Sequence, residues 1–220
     1  MKSSLFFTGK HKEIERRILE FLNSRQDYLS ASTVESTRAV GDAMQDILAE
    51  NFASILGELC GRYSAQFARR SMADLAFEDQ DGFYYVVDVK SHRLDTSFSM
   101  PNLTSVDRIA RLYEDDRNYF AILFIDYRIK GITAVVETVR FAPIEFLSWN
   151  CLTIGALGWG QIQVANSNMI EIRPGYSRKK WMIQLCDTLL EFYPREIEKI
   201  GHRIARFEEL RQHWLQKPDL

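Results

Sequence analysis

Cysteine is scarce in this chain of 220 residues: Cys60, Cys151 and Cys186 lie far apart without paired spacing. That excludes a disulfide framework and a zinc knuckle, and points to buried free thiols. Long apolar runs are missing as well. The longest, Tyr119 to Tyr127, is interrupted by Asp126, and a bilayer crossing requires roughly 18–20 residues. The stretch Leu5 to Phe7 is too short for a signal peptide, so a cytoplasmic protein with no membrane partner is expected. There is no repeat and no Pro/Gly/Ser-rich linker, so residues 1–220 are expected to form a single domain. Nor is there an excess of either charge: 28 Lys and Arg stand against 30 Asp and Glu, a net of -2. A surface coated in basic charge for nucleic acid is thereby excluded.

Familiar catalytic signatures are absent too. His11, His92, His202 and His213 form no H-E-x-x-H pair, which argues against zinc. The segment Gly155 to Gly160 lacks the G-K-[ST] ending of a phosphate loop, and no G-x-S-x-G elbow supports Ser-His-Asp catalysis.

What is present is ordinary globular material, with 46% hydrophobic and 26% charged residues. Ile14, Ile18, Phe21 and Leu22 recur at helical spacing within Lys10 to Asn23. A second helix is expected from about Glu35 to Gly61, on a stripe that includes Val40, Met44, Leu48, Phe52 and Ile55. Met72 to Glu78 and Phe83 to Lys90 are β-rich runs joined by Asp79-Gln80-Asp81-Gly82, a strong hairpin signal. A helix near Thr104 to Asp115 precedes strands at Tyr119 to Tyr127 and Thr133 to Arg140. Further strands are expected at Gln161 to Ala165 and Met169 to Arg173. A helical C-terminus follows from about Ser177, with a break or kink expected near Tyr193 at Pro194 and Glu196 to Leu215 as a final helix. The order implies an α/β or α+β fold: a mixed central sheet flanked by helices.

The hairpin carries the chemistry. Side chains alternate along Phe83 to Lys90, so Asp88 and Lys90 emerge on one side of an otherwise apolar strand. Asp74, in the partner strand, can face Asp88 if the register is open there. Two carboxylates suit a hard divalent cation such as Mg²⁺, and a nearby ammonium suits the charge that builds on a phosphate in its transition state. Ser91 and His92 follow within reach of the same phosphate. A bare Asp-x-Lys is also a common surface ion pair, and only the buried strand and the upstream Asp raise it above that.

Ala73-Asp74 followed by Asp88-Val89-Lys90 resembles the P-D…(D/E)-x-K motif of type II restriction endonucleases, most closely the HincII/EcoRV branch. Phe83 to Ser91, Met100 to Leu103, Ile154 to Gln163 and Gly175 to Trp181 fall in the same order as related segments there. A weaker likeness lies at Gly41 to Asp46. Ala73 departs from the proline of the motif. The resemblance implies a restriction-endonuclease-like sheet and a homodimeric enzyme dependent on Mg²⁺, with Mn²⁺ as a substitute. Such an enzyme hydrolyses double-stranded DNA at a specific site to 5′-phosphate ends, with a leaning toward blunt ones. It also implies a cognate DNA methyltransferase protecting that site. Asp74 and Asp88 take the metal-ligand positions, the Val89 carbonyl a further one, and Lys90 that of the catalytic lysine. Gln45, Asp46 and Asp42 are candidates for the position of the accessory acidic residue that some members carry on the long N-terminal helix.

By the same resemblance, the polar loop Ser91 to Thr104 approaches DNA, with Ser99, Met100 and Asn102 near the bases. The basic turn before the last helix holds Arg173, Arg178, Lys179 and Lys180 without an acid. There Tyr176, Ser177, Arg178 and Lys179 are the DNA-contact candidates, since a helix N-terminus and basic side chains suit phosphate. The helical elements at about 10–61 and 177–216 are expected to serve dimerisation and DNA binding. Two alternatives remain open: a structure-directed repair or recombination nuclease of the same fold, and a non-catalytic DNA-binding module.

Overall fold

A computed structural model describes residues 2–25, 28–63, 73–96, 101–165 and 169–218. They fall into two compact units, Met1–Ser177 and Arg178–Leu220.

The first unit opens with a single helical turn, α1 (Ser4–Phe7), and continues with α2 (His11–Ser24) and α3 (Thr37–Leu56). The apolar stripes expected for these helices are the buried ones: Ile14, Ile18 and Leu22 on α2, and Val40, Met44, Leu48 and Phe52 on α3. α3 ends earlier than the expected stop at Gly61. Gly57 takes φ 55 as its C-cap, a conformation open to glycine.

Strands β1 (Cys60–Tyr63), β2 (Leu75–Asp79), β3 (Tyr84–Arg93), β5 (Asn118–Lys130) and β6 (Thr133–Pro143) make a mixed sheet in the order β1-β2-β3-β5-β6. The fold is therefore α+β, a mixed central sheet flanked by helices. β3 and β5 are parallel; the other neighbouring pairs are antiparallel. The crossover between β3 and β5 carries β4 (Asn102–Ser105) and the short α4 (Val106–Leu112), capped by the Ser105 hydroxyl. β4 joins β7 (Leu152–Gly155) and β8 (Gln161–Val164) in a second sheet, ordered β4-β8-β7.

Both faces of the central sheet are covered. Tyr85, Val87, Val89, Leu123 and Ile125 belong to one core with the stripes of α2 and α3. Val86, Phe120, Ile122 and Phe124 are buried on the other face. β5 is therefore apolar on both sides, as befits a central strand.

Further expectations fail. Of the thiols expected to be buried, Cys151 is, but Cys60 is half-buried and Cys186 exposed. Loop Ser91 to Thr104 is shorter than expected, because β3 runs on to Arg93 beside β5 and Asn102 already pairs in β4. Met169 to Arg173 is no strand. Its backbone pairs with the turn at Phe146 to Ser148, through Arg173 N–H to the Phe146 carbonyl (2.7 Å) and Ser148 N–H to the Glu171 carbonyl (2.9 Å), and Glu171 otherwise meets the side chains of Asn150 and Cys151, so the ladder stops at one bridge. Strand β7 was not anticipated in its glycine-containing segment. Finally, Pro194 does not end the C-terminal helix: α5 (Arg178–Leu215) is continuous through it. Proline removes one hydrogen bond, and the freed carbonyl of Leu190 sits at an exposed residue where water can satisfy it.

Gly61 lies at a register shift between β1 and β2. A Cβ there would stand 2.7 Å from the backbone carbonyl oxygen of Asp79, which cannot rotate away. Gly61→Ala is expected to destabilise the protein by about 1–3 kcal/mol, measured by urea denaturation.

Candidate active site

The β2–β3 hairpin places the site. Its turn is closed by Asp79, whose Oδ1 accepts from the amides of Asp81 (3.0 Å) and Phe83 (2.9 Å), and Gly82 takes φ 75. That turn sets the register: Leu75 stands opposite Val87 and Ala76 opposite Val86. One step further along the same register Asp74, just outside β2, comes level with Asp88, the arrangement the sequence allowed if the register is open there.

β2 ends at Leu75, so beyond Val87 this edge of β3 has no strand partner among the described residues. Backbone groups of successive strand residues point to alternate sides. Tyr84 and Leu94 donate their amides toward β5, to the carbonyls of Arg117 and Tyr127. The amides and carbonyls of Val89 and Ser91 therefore face the open edge. Asp74 uses this edge: its Oδ2 accepts from the Val89 amide at 2.6 Å, and its Oδ1 accepts from Gln45 Nε2 at 2.7 Å.

Asp88 and Lys90 share the sheet face with Ile122 and Phe124 of β5. Lys90 Nζ lies 3.0 Å from Asp88 Oδ1 and 2.9 Å from Oδ2. Only the first contact has hydrogen-bond geometry, which leaves Oδ2 buried without a hydrogen-bond partner. Burial pushes the Asp88 carboxyl up, Lys90 pulls it down and the Asp74 charge raises it again; on balance it is raised to about 7.

Arg108, on α4, completes the group and was not singled out from sequence. Its guanidinium lies over the Phe120 ring at 5.8 Å, feels the charges of Asp88 and Asp74, and keeps one buried amino nitrogen without a hydrogen-bond partner. Burial lowers its pKa, and those two carboxylates oppose the shift. A lone arginine in a short amphipathic helix offers no sequence signal. Its position depends on the crossover that lays α4 against β5.

The remaining expected residues divide. Of the accessory candidates, Gln45 reaches the site. Asp42 is exposed and lies 3.9 Å from Arg38, and Asp46 is also exposed. Ser91 turns toward α3, where a Cβ on Gly41 would come within 2.7 Å of its Oγ. His92 turns to the other face, 3.3 Å from Asp126, which also binds Thr138 (2.6 Å) and Arg140 (2.9 Å). The signal for that network was the acid that interrupts the apolar strand at Asp126.

Ser99 and Met100 lie outside the described residues. Asn102 is exposed on β4 and accepts from Gln163. Tyr176 packs partly against the main core, while Ser177 is exposed. Arg178 and Lys179 open α5, in the second unit. Of the acids clustered in the hairpin, Asp79 is structural and Asp81 accepts from the Ser4 hydroxyl at 2.7 Å. Only Asp74 and Asp88 are grouped with Lys90.

A cleft of about 590 Å³ lies along the open edge, with Arg38, Gly41, Gln45, Asp74, Lys90 and Ser91 among its lining residues. The site's donors fit a hard divalent cation: two carboxylates, an edge-facing carbonyl at Val89 and one buried carboxylate oxygen in need of a partner. No group of three or more His, Cys, Asp or Glu able to hold a metal occurs among the described residues, and a pair of carboxylates with a carbonyl falls below that number. No protein-family model matches the chain, and no curated protein matches it. No helix among the described residues is long and apolar enough to cross a membrane.

The raised Asp88 carboxyl has a measurable consequence. Below about 7 a cation must displace its proton, so Mg²⁺ affinity is expected to rise by up to about tenfold per pH unit from 5.5 to 7 and then level off. Calorimetry in two buffers of different ionisation enthalpy checks this through proton release. For stability without metal the sign is opposite. The folded state holds this proton more tightly than the unfolded chain, so the contribution of Asp88 to stability falls as pH rises from the ordinary carboxylate range through about 7.

Proposed function

We propose that this chain is a Mg²⁺-dependent type II restriction endonuclease, hydrolysing phosphodiester bonds at a specific double-stranded DNA site to blunt 5′-phosphate ends. The supporting observation is the meeting of Asp74, Asp88, Lys90 and the Val89 carbonyl at one open sheet edge beside a cleft. Asp74 and Asp88 hold the cation, with the Val89 carbonyl as a further oxygen; Mn²⁺ substitutes for Mg²⁺. The bound cation supplies positive charge beside the scissile phosphate and acidifies water.

The chain's own groups do the rest. Gln45 and the Val89 amide fix both oxygens of Asp74, so its carboxylate does not rotate out of the site. Lys90 carries a cationic donor at the same edge, where it offsets the charge that builds on the phosphate in its pentavalent transition state. Arg108 adds a second cation behind the carboxylates, and its spare amino group can take a phosphate oxygen. Ser91 and Arg38 line the cleft and suit the backbone of the duplex. Asn102 and the basic turn at Tyr176, Ser177, Arg178 and Lys179 are assigned to DNA, together with Ser99 and Met100. Cutting both strands of a two-fold site suits a homodimer. A host carrying such an activity needs a methyltransferase that protects the same site.

Incubation of the protein with Mg²⁺ and plasmid tests the reading. Discrete fragments sharing one end sequence on run-off sequencing are expected; a smear, or a preference for branched DNA, favours a repair nuclease instead. The 2.9 Å Asp88–Lys90 ion pair favours one further alternative, a DNA-binding module in which that pair is purely structural. Calorimetry separates the two, because only the nuclease has a divalent-cation site that disappears in Asp74→Ala.

A further inference from the structure

Helix α5 carries a second pattern, independent of the sheet and of the nuclease reading. Alternate steps of three and four residues from Ile183 pass through Cys186, Leu190, Tyr193, Ile197, Ile200, Ile204, Phe207 and Arg211 to Trp214. This 3.5-residue period is the seam of a left-handed coiled coil; a helix lying on a globular core follows 3.6. Much of the seam is also exposed. Leu190 is 73% exposed, Ile197 69%, Phe207 67% and Trp214 65%. The opposite side buries Trp181 and Leu185 in its first turns, and beyond Phe192 it is polar and laced along its own helix by ion pairs such as Arg206–Glu209. An apolar stripe of this length on a polar helix marks an interaction surface.

We propose that α5 pairs with α5 of a second copy of this chain as an antiparallel two-stranded coiled coil. Self-complementarity selects both the occupant and the direction. With the two-fold axis between Ile197 and Ile200, Ile197 meets the partner's Ile200 and Tyr193 meets the partner's Ile204. Leu190 then meets the partner's Phe207, and Ile183 the partner's Trp214. Every aromatic ring is set against an aliphatic side chain, the large-against-small alternation that fills a seam. Parallel pairing in register would set Tyr193, Phe207 and Trp214 each against itself and would bring two Arg211 guanidiniums together.

On one flank Glu196, already paired with Lys199 of its own helix at 2.7 Å, falls beside the partner's Arg203, twice by symmetry, which adds a second cation to that pair. The other flank sets Asp187 near the partner's Glu208, a like-charge cost toward the ends of the seam. Pro194 follows Tyr193 on that flank and leaves the contact positions intact. Burying the large seam side chains of two helices removes on the order of 1,500 Å² from water, within the size class of specific, stable interfaces.

The test uses the full chain without DNA or metal, so an inactive nuclease would leave its outcome untouched. Sedimentation velocity at about 20 μM is expected to give a mass of two 25.6 kDa chains. Ile197→Asp with Ile204→Asp is expected to halve it while the thermal transition of the rest of the fold persists. Cysteine chemistry reads the direction in a Cys60→Ser, Cys151→Ser background. Under diamide oxidation, Cys186 alone should give no covalent dimer, and adding Arg211→Cys should give one through the partner's Cys186. A monomeric parent chain, or a dimer that survives the double substitution, overturns the proposal. Cross-linking through Cys186 alone overturns its antiparallel sense.

Discussion

Asp88→Ala and Lys90→Ala are each expected to lower Mg²⁺-dependent plasmid cleavage by about 10³-fold or more, with DNA retention changed only a few-fold. The two variants should fail differently. Asp88 supplies carboxylate oxygens at the site, one of them buried without a hydrogen-bond partner. Its removal should erase the calorimetric cation site along with the activity. Lys90 supplies only charge, so Lys90→Ala should keep or strengthen cation binding, because the ammonium no longer competes for Asp88 at 2.9 Å. Gel shifts with Ca²⁺ in place of Mg²⁺ report retention, and far-UV circular dichroism reports folding. Undiminished cutting by Lys90→Ala would sink the assignment of its role.

The second large effect concerns stability, and it falls on an acid in the same hairpin. Asp79→Ala is expected to cost about 3 kcal/mol, which corresponds to a melting temperature lower by roughly 6–12 °C for a chain of this size. Asp79 is 8% exposed and accepts three hydrogen bonds. Two come from the turn amides of Asp81 and Phe83, and the third from the Tyr85 hydroxyl at 2.6 Å. Tyr85 in turn contacts the Ser3 hydroxyl, and the Ser3 amide donates to Tyr119 Oη at 3.1 Å. Alanine would leave several buried donors unpaired at once and would loosen the turn that sets the register of Asp74 against Asp88. Asp79→Asn retains an acceptor oxygen and should lose about half as much. Scanning calorimetry in the absence of metal measures both. A loss below about 1 kcal/mol would mean that water or a neighbouring group takes over these donors.

The two effects show why acids that look alike in sequence part company in the fold. Asp74, Glu78, Asp79, Asp81 and Asp88 crowd one short stretch, and nothing in their spacing says which are structural. A residue at the strand end closes the turn, and a residue beyond the last ladder pair reaches the open edge. The helix stripes of α2 and α3 were legible because burial of every third or fourth side chain is a local pattern. Of the break or kink expected at Pro194, the break does not occur, because proline removes only one hydrogen bond and solvent at an exposed helix compensates for it. The strand expected at Met169 to Arg173 was wrong because a β-rich run still needs a partner of equal length.

By itself the amino-acid sequence determined the mixed sheet flanked by helices, the hairpin, and the pairing of Asp88 with Lys90 on one side of a strand. Each follows from a period of two or 3.6 and from turn residues that act over a few positions. Only the tertiary structure decided which edge of β3 lacks a strand partner among the described residues, which helix residue holds Asp74, and that Arg108 stands behind the carboxylates. These depend on the parallel register of β3 with β5 and on the packing of α3 and α4. Such contacts join residues tens of positions apart, and no local period encodes them.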